Sequence, residues 1–133
     1  MATASTAPLA GIKVVEIASF VAVPAAGALL ADMGADVVKV EVPWGEIYRH
    51  TTPRLAGFDH DFTAGPPFQM DNRGKRSLAL DLALPQAVEA PGQVVAGADV
   101  LTTNAFPAPL QKYGLAPQRL RAKHHNLCVA RLS

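Results

Sequence analysis

The stretch from Gly11 to Glu41, GIKVVEIASFVAVPAAGALLADMGADVVKVE, constrains the fold more than any other part of the chain. GIKVVEIA (11–18) is short, β-branched and almost wholly apolar, the pattern of a strand buried on both faces of a parallel sheet. PAAGALLADMG follows: Pro24 suits a first helical turn, Ala and Leu favour helix, and Gly34 suits the stop. ADVVKVE (35–41) then reads as a second strand. Two such strands joined through a helix form a βαβ unit, with parallel strands and a right-handed crossover.

The remainder continues the alternation with one interruption. Residues 42–72 are rich in Pro, Gly and aromatics without a sustained period, and read as one long loop of the kind that often carries function. SLALDL (77–82) alternates as a strand does. Residues 85–98 look helical, but Pro91-Gly92 predicts a kink or two pieces. DVLTTN (99–104) is a strand, PAPLQKYG and PQRLRAKH are short helices, and NLCVARLS (126–133) is a last strand. The pattern predicts an α/β fold, an open and mostly parallel sheet flanked by helices. Residues 1–7 are expected to be a flexible start and 8–133 one domain. A chain stopping at or just after a strand predicts either an edge strand there or the front part of something longer.

Half of the 133 residues are hydrophobic and 17% are charged, which suits a core-forming chain. The net charge of +1 provides no general field for nucleic acid or anionic membrane. One cysteine, Cys128, excludes an internal disulfide and fits a reducing compartment. The start has no basic segment followed by an apolar run, and no stretch approaches the ~18 apolar residues of a membrane span. These features predict a cytoplasmic protein with no nucleic-acid or membrane partner.

The candidate chemistry is sparse. The first strand–helix turn, ASFVAVPAAG, lacks the Gly-rich fingerprint of dinucleotide folds, so Glu41 at the end of the second strand does not indicate a nicotinamide site. SFVAV fits an apolar packed loop or a wall for a flat ring. The tetrad RGKR (73–76) is compatible with a solvated turn or with a phosphate ligand, which needs only two or three placed cations. It lacks the wide basic surface and stacking aromatics of a nucleic-acid site. Gly74 would let the backbone approach a ligand. DHD (59–61) and the pair His124-His125 do not have metal-ligand spacing, so no metal is expected. Cys128 reads as a packed, inert thiol, and Asp81 and Asp99 as capping or solvated-turn residues.

Four stretches taken in order, PLAGIKVVEIASFVAVPAAGALLADMGADVVKVE, DNRGKRSLALDL, ADVLTTNAFPAPLQKYGL and NLCVARLS, resemble the amino-terminal part of the class III CoA-transferases. These are of the formyl-CoA and carnitine-CoA transferase type, in a superfamily that includes α-methylacyl-CoA racemases. The resemblance runs from Pro8 to Ser133. It implies a Rossmann-like open sheet without the dinucleotide fingerprint, incomplete relative to the family. It implies coenzyme A as ligand, an acyl-CoA and a carboxylic acid as substrates, and in the full-length family an interlocked homodimer. By the same resemblance Phe20, Val21 and Ala22 contact the CoA adenine region, and Asn72, Arg73, Gly74, Lys75 and Arg76 bind its nucleotide end. Asn104 is kept from the family's next block, whose Phe, Arg and Gly are Ala105, Phe106 and Ala108 here, and Lys112 matches a basic residue eight positions on. An Arg often found after the second strand is Val42. The family's nucleophile is an aspartate beyond the strand matched by NLCVARLS, and Asp71, Asp81 and Asp99 do not match it. The resemblance therefore implies a CoA-transferase whose present residues bind CoA without completing transfer. The alternatives are a racemase or isomerase fragment, or a stand-alone CoA-binding or non-functional module, with a separately encoded C-terminal half as a further partner.

Overall fold

Each β-branched run becomes a strand, and every strand ladder is parallel. The computed structural model describes residues 7–51, 65–81 and 84–132. Its elements are β1 (Lys13–Ile17), α1 (Ala22–Asp32), β2 (Asp36–Glu41), α2 (Pro66–Asn72), β3 (Arg76–Ala79), α3 (Ala90–Ala96), β4 (Val100–Thr103), α4 (Pro107–Lys112), α5 (Pro117–Lys123) and β5 (Cys128–Arg131). Single 3-10 turns occupy Ile47–His50 and Pro85–Ala87. The sheet order is β3-β2-β1-β4-β5. The chain builds outward from β1 to β3 and then returns to the other side of β1, so the direction of winding reverses between β1 and β4. Such a reversal splays the loops at the carboxyl ends of the two strands and opens a crevice between them.

Two expectations need correction. Residues 42–72 are not one loop: the described parts contain the 3-10 turn and α2. Pro66 and Pro67 made this region read as irregular, yet they stand in the first turn of α2, where a missing N–H removes nothing. Cys128 is exposed, not packed; β5 is an edge strand, and only half-buried Val129 packs on the core. The break around Pro91 is two pieces, with Pro91 in the first turn of α3 rather than at a kink. The DHD string, residues 1–6 and Leu82 lie outside the described residues.

The two faces of the sheet are covered differently. On one face Val15, Val40 and Leu101 cluster with Val95 of α3, Leu110 of α4, Leu120 of α5, Leu115 and Leu127. On the other, Val14 and Val37 pack with Ala35 and with Leu30 and Ala31 of α1. Among the described residues no helix is long and apolar enough to cross a membrane.

Candidate functional site at the carboxyl ends of the strands

A side-chain amide bridges the crevice between β1 and β4. Asn104 follows β4, and its Oδ1 accepts the Ser19 N–H at 3.1 Å while its Nδ2 donates to the Ser19 carbonyl at 2.8 Å. Thr103 tightens the same end, its hydroxyl donating to the Ile17 carbonyl at 2.6 Å and accepting the Ala105 N–H at 3.0 Å. The loop after β1 is therefore clamped to the loop after β4. On this clamp stand three exposed apolar side chains, Phe20 at 51%, Val21 at 47% and Phe106 at 78%. Exposed apolar groups fixed to a rigid strand end are suited to hold a flat, partly apolar ligand.

Phe20 has φ of +65°, the left-handed region that costs a non-glycine residue about 1–2 kcal/mol. Its N–H donates to Glu46 Oε2 at 3.0 Å, and its ring lies 6.0 Å from that of Tyr48. Glu46 belongs to the segment after β2, so the loops after β1 and β2 are also joined.

Beneath this end lies a buried row of charges. In-register pairing places Thr102, Glu16, Lys39 and Ser77 side by side across four strands. Glu16 is fully buried and Lys39 is 2% exposed. Lys39 donates to Glu16 Oε1 at 3.1 Å and to the Ala18 carbonyl at 2.8 Å. It also lies 3.0 Å from Glu46 Oε1, close enough for an ion pair, although that oxygen lacks hydrogen-bond geometry. Lys75 comes in from the start of β3 and donates to both oxygens of Glu16 at 3.0 and 2.8 Å. Its ammonium also meets the carbonyls of Pro24 and Asp71 and Asn72 Oδ1, at 2.8–2.9 Å. Two ammoniums and two carboxylates alternate, so the row is neutral in sum. Burial depresses the Lys75 pKa, and the bonds to Glu16 only partly oppose this.

Gly27 makes the row sterically feasible. A Cβ there would come within 2.0 Å of Glu16 Oε2 and 3.1 Å of Lys75 Cε. The glycine in this helix gives room to an ion pair, where a dinucleotide fold would use its glycines for phosphates. Beside the row, Arg49 forks onto Glu41 at 2.6 and 2.7 Å and lies 3.9 Å from the centre of the Phe68 ring of α2. Burial would raise the Glu41 pKa, but Arg49, the Glu46 N–H and the Ser77 hydroxyl together hold it below the ordinary value. The bond to Glu41 raises that of Arg49, against a smaller opposing effect of burial. Glu41, Val42, Trp44, Arg49, His50 and Ser77 line an open cavity of about 320 Å³ at the ends of β2 and β3.

The structure brings some sequence-selected residues together and separates others. Phe20, Val21, Ala22, Asn104, Ala105 and Phe106 gather at the carboxyl ends of β1 and β4. Lys112 is at the far end of α4, exposed, with its ammonium 5.2 Å from the centre of the Tyr113 ring. Asn72 donates to the Phe68 carbonyl and receives Lys75. Gly74 forms the α2–β3 turn with φ of +73°. Arg73 pairs with Asp32 at the end of α1 and Arg76 with Asp36 at the start of β2. Both arginines are thus tied at the amino ends of the strands, opposite the crevice. Asp99 Oδ2 accepts the Lys13 N–H at 2.8 Å, a turn-fixing role. Among the described residues no group of three or more His, Cys, Asp or Glu could hold a metal.

Sequence reading missed Glu16, Lys39, Glu46 and Arg49. One signal was present: opposite charges, Glu16 and Lys39, interrupt the valine runs of two strands, with a glycine in the helix between them.

The sequence profile of CoA-transferase family III matches residues 9–133. A Mycobacterium tuberculosis protein named "probable fatty acyl-CoA transferase" is 39% identical over 130 residues, covering 95% of this chain and 31% of that protein. The succinate–glutarate CoA-transferase of Agrobacterium fabrum is 39% identical over 122 residues, covering 90% of this chain and 30% of the enzyme. The crystal structure of a CAIB/BAIF family protein from Brucella suis superposes with a TM-score of 0.83 at 38% identity, over 96% of this chain and 33% of that one. The chain thus spans about a third of the length of the proteins it matches.

Proposed function

Because the chain belongs to CoA-transferase family III, we propose that the β1–β4 crevice receives the CoA of an acyl-CoA whose thioester is exchanged with a carboxylic acid. The observation that carries this reading is the Ser19–Asn104 clamp, which fixes Phe20, Val21 and Phe106 as an exposed apolar wall at the point where winding reverses. The amino end of α1 opens onto the same place without a side-chain cap, leaving partial positive charge for a phosphate. Ala22 and Ala105 complete the wall, while Lys112, at the far end of α4, stands apart from it. Asn72, Gly74 and Lys75 support the site from behind. Arg73 and Arg76, paired with Asp32 and Asp36 at the amino ends of the strands, stand away from the crevice and take no part in this reading.

Transfer in this family passes through an aspartate that takes the acyl group, and none of the residues present matches it. In this reading the 133 residues hold CoA, and the aspartate's role is assigned to none of them. The transferase reading is favoured over the racemase because the relatives described above carry transferase names. An interlocked dimer and a complementing second half belong to the same reading.

Calorimetric titration of the chain with CoA tests the reading. Saturable heat is expected, with affinity about tenfold weaker in Asn104→Ala, which removes the clamp. A folded chain giving no heat at millimolar CoA would overturn it.

A further inference from the structure

We propose that Glu46 is a positioning residue for the ligand loop: its carboxylate, fixed by the buried charge row, holds the Phe20 N–H and so sets the left-handed bend that presents Phe20 and Val21. The role in CoA binding rests on the reading above, whereas the tether itself does not.

Glu46 is itself firmly placed. Its side chain is 6% exposed. Its own N–H donates to Glu41 Oε2 at 3.3 Å. The preceding Gly45 has φ of +79°, and the Arg49 side chain fills the space where a Cβ would stand, 2.4 Å away. That turn lets Arg49 fold back onto Glu41 while Glu46 points toward β1. One carboxylate oxygen then meets Lys39 and the other the Phe20 N–H. Lys39 in turn is held by Glu16, and Glu16 by Lys75.

The loop is therefore held from two sides. Asn104 takes both backbone groups of Ser19 from the β4 side, and Glu46 takes the next N–H from the β2 side. Phe20 has a single N–H, and a residue in the left-handed region returns to a relaxed backbone unless its neighbours hold it. Lys75 has three N–H groups and five acceptors inside the protein, so it influences the loop through Glu16 and Lys39 without a free donor for a phosphate. The basic tetrad and the ligand loop are thus connected through buried charge.

Amide hydrogen exchange on the ligand-free chain, followed by CoA titration, tests the tether. In the unmodified chain the Phe20 amide should exchange as slowly as that of Ser19. Glu46→Ala should speed Phe20 at least tenfold beyond any change at the amides of β1 and β2, and weaken CoA about tenfold. Glu46→Gln keeps an acceptor oxygen at the same reach and should restore both values to within about threefold. Free exchange of Phe20 in the unmodified chain overturns the proposal, and that measurement needs no variant to fold. So does a Glu46→Ala variant in which Phe20 exchange is unchanged, or in which the whole of β1 and β2 loosens equally. If the unmodified chain does not bind CoA, the binding reading fails while exchange still decides the tether.

Discussion

The two faces of one sheet are held by opposite chemistry. On the α3–α5 face, Val15, Val40 and Leu101 cluster with apolar residues of the helices and of the turns that follow α4 and α5. On the α1–α2 face the lower half is apolar, but the next row up buries Glu16, Lys39 and Lys75. An apolar face tolerates approximate packing, because dispersion and water exclusion depend on shape and area. A buried charged row does not: each charge needs its partners in place, since a single loss strands another charge without water. The demanding chemistry lies beneath the candidate site, where loop position matters most.

The largest effect should come from breaking the charged face. Lys39→Ala leaves Glu16 and Glu46 without a shared cation and should cost about 3–5 kcal/mol by urea unfolding. A loss under about 1 kcal/mol would show that the row contributes little. On the apolar face, Leu101→Ala should cost about 2–5 kcal/mol through its cavity, with Phe20 amide exchange unchanged. A change at Phe20 would mean that the faces are not separable.

A pair of glycines sharpens the contrast. Gly27→Ala in α1 forces a methyl against the Glu16 carboxylate and should lower stability by about 1–3 kcal/mol, despite the higher helix propensity of alanine. Gly92→Ala in α3 meets nothing within 4 Å and should raise stability by about 0.5–1 kcal/mol. Thermal midpoints moving in the same direction would defeat the comparison.

The smallest effect is confined to acid. The folded pKa of Glu41 lies below the ordinary 4.5, so its ionisation stabilises the fold above that value. The contribution is lost as pH falls through the lowered folded pKa. Glu41→Gln should therefore flatten the stability profile between about pH 5 and pH 3, compared with the unmodified chain. Parallel profiles would remove Glu41 from the account.

The βαβ opening was legible because strand and helix periods are local, and the nearly continuous β-branched runs of β1 and β2 carry little ambiguity. The clamp residue Asn104 could be selected by resemblance, but its partner Ser19 could not, since the bond joins loops 85 residues apart. α2 was missed because two prolines resemble loop punctuation when the first helical turn cannot be seen. Cys128 was misread because an apolar strand looks alike at a sheet centre and at its edge.

By itself, then, the sequence determined the alternation of elements, the parallel sheet and the absence of phosphate-binding glycines, all of which follow from local period and side-chain size. Only the tertiary structure decided what the charges do. Register set Glu16 beside Lys39, and the fold brought Lys75 to Glu16 while it left Arg73 and Arg76 at the amino ends of the strands. The physical reason is range: a hydrophobic period is written in neighbouring residues, whereas the fate of a buried charge depends on partners that only folding brings within 3 Å.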